Sequence, residues 1–314
     1  MKSLLSFLFY CLLSVTAYGQ TVSFTFKDYL TLPHSRPLHG ISGLEFIPER
    51  QEWQLAADRG HYHVFRQIHQ LTDWVCAPDS VSQTGLYLES IRYDAASDTY
   101  FFSVETDDES YVGFKKHAVP RSGEAFSRIP LPHPLPVNRN KGIEALALTP
   151  SYLWVAPEAG SVEEARIDNP TVHFYRYRKT EGSVALDAEF SYEMDRNVCP
   201  TDSNEKLGGI SEIIALPGDE TRLLVLERCY ETTTKSVTAK LYEAQVDEAG
   251  KKLIKLKEKP AFDFNNRNGF RPDNLEAMSW GEDVEGRKTL LLFSDDNISK
   301  NQWTQVVILE MQSN

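Results

Sequence analysis

NKGIEALALTPSYLWVAPEAG, residues 140–160, sets Glu144 at the start of a short apolar run and Glu158 just after the β-rich run that follows. Apolar residues alternate along Ile143–Leu148, a Thr-Pro-Ser turn intervenes, and Tyr152–Ala156 is again β-rich, which reads as a β-hairpin. The first strand of a hairpin begins beside the end of the second, so the two carboxylates share one end.

The arrangement recurs. GISGLEFIPERQEWQLAADRG from Gly40, LESIRYDAASDTYFFSVET from Leu88, GGISEIIALPGDETRLLVLERC from Gly208 and NLEAMSWGEDVEGRKTLLLFSDDN from Asn274 repeat the same order of strand, turn, strand and acid. Leading positions are Ser42, Glu89, Glu144, Ser211 and Glu276; trailing positions are Asp58, Glu105, Glu158, Glu227 and Asp295. Separations of 16, 16, 14, 16 and 19 residues suit two short strands and a turn.

Further strand-like runs lie between the hairpins, two per repeat: HYHVFRQIH and LTDWVCAP, YVGFKKHAV and AFSRIPLP, VHFYRYR and ALDAEFSYEM, SVTAKLYEAQV and KLIKLKEKPAFDF. Only TQVVILEM follows the last hairpin, and TVSFTFKDYLTL at the N-terminus supplies the missing strand. Repeats 47, 55, 67 and 65 residues apart, each worth four strands, predict an all-β chain folded as a β-propeller. The count is five four-stranded blades, with six the alternative if one hairpin is too degenerate to see. Pairing of the N-terminal strand with the C-terminal blade closes the ring, and the Pro-rich RIPLPHPLPVNRN before Lys141 reads as a connection within it.

Residues 1–19 carry one lysine, an apolar run from Leu4 to Val15 and small residues at Ala17 and Gly19, the layout of a secretory signal peptide. Tyr10 before Cys11 argues against lipidation there. Residues 20–314 form the single remaining domain, expected to be secreted or periplasmic. Loss of Lys2 moves the formal charge from −12 to −13, which disfavours nucleic acid and anionic membranes as partners. No later apolar stretch is long enough to span a bilayer. Three cysteines remain; pairing of Cys199 with Cys229 would close about 30 residues and contribute roughly 3 kcal/mol, leaving Cys76 as an expected buried, inert thiol.

In a propeller the first two strands of each blade are innermost, so the ten repeat positions are expected to ring one mouth of the central channel. Eight of them are carboxylates. Two bare carboxylates about 5 Å apart repel by roughly 3 kcal/mol at an effective dielectric of 20, so the ring calls for a cation, arginines or protons. Calcium suits an irregular set of oxygen donors, with Glu89, Glu144, Glu276 and Asp295 as candidate ligands, helped by Asp296 or Asn297. Zinc fits less well, because His39, His61 and His63 have no zinc spacing. The alternative is that each acid accepts hydrogen bonds from a neighbouring blade and only holds the ring together.

Arg59, Arg228, Lys141 and Arg271 adjoin the repeat positions and are candidate contacts to a small anionic or ester substrate, unless each merely neutralises its neighbouring acid. Glu158, Glu227 and His39 are candidate proton acceptors. There is no Gly-x-Ser-x-Gly elbow, Gly-rich phosphate loop or paired CxxC. Trp154, Trp280 and Tyr87 lie within β patterns and read as core.

GISGLEF with LAADRG, NKGIEALAL with LWVAPE, GGISEIIAL with LLVLE and NLEAMSW with LLLFSDDN resemble the secreted bacterial family called esterase-like activity of phytase, or phytase-like domain proteins. The family's usual Glu-Gly is Glu144-Ala145 and Glu276-Ala277 here, and its closing Asp-Asn-Asn is Asp295-Asp296-Asn297. The resemblance implies a propeller and a hydrolase of phosphoesters or carboxylic esters. The Glu-x-apolar openings also resemble those of calcium-dependent lactonase and arylesterase propellers, which implies one metal in the channel. A non-catalytic propeller binding a ligand or protein, and a calcium-dependent lactonase, are the competing readings.

Overall fold

The computed structural model describes residues 21–34, 38–106, 108–132, 141–160, 171–180, 183–199, 206–231, 234–265 and 269–313. The expected leader, with Cys11, and residues 133–140 of the Pro-rich connection lie outside the described residues. No α-helix occurs among the described residues, only two short 3-10 turns, Pro48–Arg50 and Leu71–Val75. No described helix is long and apolar enough to cross a membrane.

Strand β1 (Val22–Thr31) precedes a first sheet in the order β2 (Ile41–Ile47), β3 (Glu52–Ala57), β4 (His61–Arg66) and β5 (Ser80–Gln83). A second sheet orders β6 (Leu88–Asp94), β7 (Thr99–Glu105), β8 (Ser110–Lys116) and β9 (Ser127–Ile129). Next come β10 (Ile143–Leu148), β11 (Tyr152–Pro157), β12 (Thr171–Thr180) and β13 (Ser183–Glu193), then β14 (Lys206–Ala215), β15 (Arg222–Glu231), β16 (Ser236–Asp247), β17 (Lys252–Lys255) and the two-residue β18 (Phe262–Asp263). These nine form one hydrogen-bonded sheet, because β13 pairs in parallel with β17 at Ser191–Lys252 and Tyr192–Leu253. The last sheet orders β1, then β21 (Gln305–Ser313), β20 (Thr289–Asp295) and β19 (Asn274–Trp280), with β1 antiparallel to β21 from Val22–Ser313 to Thr31–Gln305.

Successive side chains point to opposite faces, and inner strands such as β7 and β20 are buried at consecutive positions, so both of their faces pack on neighbouring sheets. Leu44, Phe65, Leu291 and Phe293 join the first sheet to the last. Ile47, Tyr62, Ile91 and Phe102 join the first to the second, and Phe101, Ile129, Leu146 and Tyr175 join the second to β10–β12. Trp154, Phe174, Ile213 and Val225 join β10–β12 to β14–β15; Leu224, Leu241, Met278 and Leu290 join β14–β16 to the last sheet. The neighbour relations of the first strands run β2, β6, β10, β14, β19 and back to β2. The fold is therefore all-β, ring-like and propeller-like.

Three sequence expectations need correction. LTDWVCAP forms a 3-10 turn that buries Trp74, and the outer strand is the later Ser80–Gln83; a Gln70–Asp73 capping box stabilises the turn there. Cys76, the residue that ends that turn, is exposed. Trp154 is fully buried, but Tyr87 is 49% exposed, since it precedes the first residue of β6.

Candidate functional site

Each of the five hairpins carries a bulge at the same place. Pairing skips from Ile41 to Gly43, Leu88 to Ser90, Ile143 to Ala145, Ile210 to Glu212 and Leu275 to Ala277. The unpaired residues are the five leading positions Ser42, Glu89, Glu144, Ser211 and Glu276. A bulge frees one residue from the ladder and re-aims its side chain, which is how these strands turn one residue apiece toward a shared end.

The registers also define the trailing set. Opposite the residue before each bulge stand Ala57, Val104, Pro157, Glu227 and Ser294. One residue further on come Asp58, Glu105, Glu158, Arg228 and Asp295. Glu227 is thus one residue out of phase with the other expected trailing positions. It is fully buried, accepting from Tyr192 Oη at 2.6 Å and the Asp195 N–H at 2.8 Å, with Lys255 Nζ at 2.7 Å. Arg228 takes its place, so the ring holds seven carboxylates and a guanidinium.

Glycines two residues ahead of the bulges make room for the preceding hairpin's acid. A Cβ at Gly209 would lie 2.4 Å from Glu158 Cγ, and one at Gly142 would lie 2.4 Å from Glu105 Oε2. Instead the Gly142 N–H donates to Glu105 Oε2 at 2.8 Å.

Electrostatics show that the acids converge. Burial pushes Glu89, Glu144 and Asp295 well above the carboxylate range, and nearby carboxylates push further: Glu276, Glu105, Asp58 and Asp295 act on Glu89, and Glu89, Glu158 and Glu276 on Glu144. Glu276 is pushed up to about 7 by burial, against the pull of Arg228. Asp58 is also raised, by burial first, and its Oδ1 is buried without a hydrogen bond among the described residues. Ser42 Oγ donates to Glu276 Oε2 at 3.3 Å, while Ser211 Oγ is buried with no hydrogen bond among the described residues.

The expected cations differ in placement. Arg228 donates to Asn274 Oδ1 and lies 3.3 Å from Glu276 Oε1 and 3.6 Å from Glu158 Oε1. Lys141 Nζ reaches Glu158 Oε1 at 3.1 Å. Arg59 is half exposed and lies 3.3 Å from Asp58 Oδ2, so it neutralises its neighbour at the rim. Arg271 is outside the ring and lines a separate cleft. His39 Nδ1 lies 2.5 Å from Asp296 Oδ2, with the ring 31% exposed. Asn297 is exposed; its backbone N–H, not its side chain, serves Asp295 Oδ1 at 2.7 Å. His63 is buried with neither ring nitrogen bonded among the described residues, and burial pushes it down to about 4.

Beneath the ring lies a feature absent from the sequence reading. Arg92 is 2% exposed and donates to the carbonyls of Leu44, Ile91 and Ile213 at 2.9, 2.7 and 2.9 Å, pinning β2, β6 and β14 together. Glu212 Oε2 lies 2.9 Å from its guanidinium, and Glu45 Oε2 3.6 Å. Glu212 also accepts from Ser90 Oγ at 3.1 Å and from the N–H groups of Ile213 and Leu146. Burial pushes Glu212 up to about 8 and Glu45 up to about 7, against Arg92. The acid-rich mouth is therefore floored by a charged plug. Arg92 sits in a period-two strand pattern among ordinary charged residues, and nothing in its local sequence marks it.

As a metal site the ring is gathered but not preformed: among the described residues no three His, Cys, Asp or Glu side chains stand close enough to hold an ion as they are. The donor chemistry nonetheless fits a hard cation, being all oxygen, mutually repelling, and including the unbonded Asp58 Oδ1.

The family model described as "Phytase-like: Esterase-like activity of phytase" matches residues 36–298, and the chain belongs to this family. Among curated proteins none matches significantly. The endo-arabinase from Bacteroides thetaiotaomicron VPI-5482 is similar in structure, with 11% identity, 90% of this chain and 97% of that chain covered, and a TM-score of 0.52. The soluble aldose sugar dehydrogenase from Escherichia coli, in its apo-form, covers 94% of this chain and 100% of its own, at 12% identity and a TM-score of 0.43. At such identities the arabinase likeness speaks for the fold alone.

Proposed function

We propose that the protein is a five-bladed propeller hydrolase of phosphoesters or carboxylic esters, exported to the periplasm or beyond, with calcium at the channel mouth. The observation that carries this reading is the mutual elevation of Glu89, Glu144, Glu276 and Asp295, which marks them as a cation-deficient ring. These four would hold calcium, with Asp58 beside them. Bound there, calcium supplies a Lewis acid for an ester oxygen and acidifies a water. Family membership and the disulfide support the hydrolase class and the oxidising compartment.

The chain's own groups divide the remaining work. Asp296 holds the Nδ1 edge of His39, a side chain 31% exposed, and so leaves the other ring nitrogen to accept a proton from water. Glu158, held by Lys141 and facing Arg228, is the second acceptor. Arg228, fixed between Glu158, Glu276 and Asn274, presents the buried positive charge nearest the ring to an anionic transition state.

A non-catalytic binding propeller is the second reading, favoured by the acids that accept neighbouring backbone N–H groups: Glu105 from Gly142, Glu45 from Tyr93 and Glu212 from Leu146. Melting with calcium and with chelator, combined with aryl ester, phosphoester and lactone substrates, separates the two. Calcium at 100 times its Kd should add about 2.7 kcal/mol, and Glu144→Gln should abolish that gain and the turnover while raising chelator-state stability. Unchanged melting in calcium together with no turnover would end the hydrolase reading; opening of lactones alone would select the lactonase.

A further inference from the structure

A cleft of about 640 Å3 lies between the β14–β16 edge and the segment leading into β19. Each first strand begins, and each second strand ends, at the carboxylate end. The cleft is lined by residues following β13, preceding β16, preceding β19 and following β20, so it opens on the same face as the ring. Thr238 in its wall pairs with Cys229, the residue after Arg228.

Its cations are unlike the rest. Eleven of the arginines described, Arg50, Arg59, Arg66, Arg92 and Arg228 among them, face a carboxylate within 4 Å. In a chain with twelve more acids than bases, a buried or rim arginine finds such a partner readily. Arg271 is exposed on the cleft and has no carboxylate partner among the described residues. Its backbone is nevertheless fixed: buried Gln305 donates through Nε2 to the Arg271 carbonyl at 3.0 Å and accepts the Asp273 N–H through Oε1 at 2.9 Å. Lys235, held at φ +58°, faces the Tyr230 ring, 5.9 Å away, and no carboxylate among the described residues. The other lysine of the wall, Lys240, is spent on Asp195 at 2.7 Å.

Between these cations the wall is amide and hydroxyl, from Asn301, Gln302, Thr234 and Ser236. Asp263 and Asp273 are also present, but Asp273 is occupied by the Trp303 N–H and the Gln302 amide. Preset donors with unspent positive charge suit an anion, and the amide and hydroxyl lining suits a ligand carrying several hydroxyls.

We infer that this cleft binds a hydroxyl-rich organic anion, with Arg271 and Lys235 on its charged group, and that it is the subsite for the part of the substrate remote from the scissile bond. As a subsite the inference rests on the hydrolase reading; as a binding site it stands without it.

Calorimetric titration with gluconate, glucose 6-phosphate, glucose and inorganic phosphate tests it, in chelator and on the Glu144→Gln background so that ring chemistry is silent. One or both sugar anions should bind at least tenfold more tightly than glucose and than inorganic phosphate, and Arg271→Gln and Lys235→Gln should each weaken binding about tenfold. The control Arg121→Gln, in the loop between β8 and β9, should change nothing. Which anion binds separates carboxylate from phosphate chemistry. Binding unaltered in both cleft variants, binding of inorganic phosphate as tight as that of the sugar anions, or no binding at all overturns the inference. Anion binding lost in Arg271→Gln while no ester is ever turned over would keep the cleft and discard the hydrolase.

Discussion

Replacing Arg92 with methionine tests the charged floor most directly. The guanidinium lies 2.9 Å from Glu212 and 3.6 Å from Glu45; at an effective dielectric of 20 the closer contact alone is a gross attraction of about 6 kcal/mol. Desolvation offsets part of that, and breaking a buried pair while leaving its acids in place costs about 3–5 kcal/mol net. The variant also strips donors from three buried carbonyls. With an unfolding entropy of roughly 2.1 cal/mol/K per residue, a chain of this size loses about 7 °C for about 4 kcal/mol.

The loss should depend on pH. Burial raises Glu212 to about 8 and Glu45 to about 7 in the folded chain, above the ordinary 4.5. The folded state therefore holds protons that the unfolded chain has released between about pH 4.5 and 8, and wild-type stability falls as pH rises through that window, by up to about 1.4 kcal/mol per unit for each proton. At pH 6 both acids are largely neutral and Arg92→Met removes mainly hydrogen bonds; at pH 9 it strands two buried carboxylates. Urea denaturation at the two pH values should show a penalty at least about 2 kcal/mol larger at pH 9, and adding Glu212→Gln should recover much of it. Equal penalties at both pH values, or a double variant as unstable as the single one, would refute the argument that Arg92 acts by compensating charge.

Two further outcomes rest on other parts of the chain. The Cys199–Cys229 disulfide closes 30 residues, so Cys229→Ser in a Cys76→Ser background should lose about 3–4 kcal/mol, near 6 °C; reductant should bring the parent to the same midpoint and leave the variant unmoved. Ile298 is 54% exposed yet sits at φ +52°, a region that costs an L residue roughly 1–2 kcal/mol. Ile298→Asn should therefore raise the melting midpoint by about 2 °C, and a fall would mean that the side chain packs more than its exposure indicates.

Much of this molecule is legible in the linear chain because strand chemistry is local. Alternation along Ile143–Leu148, the Thr-Pro-Ser turn, and the four echoes of that pattern carry the all-β class, the repeat and the leading positions, and the N-terminal run TVSFTFKDYL does pair with the C-terminal strand. The Cys199–Cys229 pairing was one option among several in sequence and is a bond in the structure. The family match, over residues 36–298, takes in those repeated openings.

What the linear chain does not carry is phase and partnership. Side chains alternate with a period of two, so an offset of one residue reverses direction; that is why Glu227 bonds Tyr192 and Lys255 while Arg228 enters the ring, a choice made by the register of β14 against β15 and not by either residue's chemistry. Arg92 is likewise unreadable, since its carbonyl and carboxylate partners come from strands 48 and more than 100 residues away. Hydrophobic pattern and turn residues act between near neighbours and survive in the sequence. The elevation of the ring acids, the plug beneath them and the spare charge of Arg271 arise from fields between distant segments, and those exist only once sheets far apart in the chain have packed against one another.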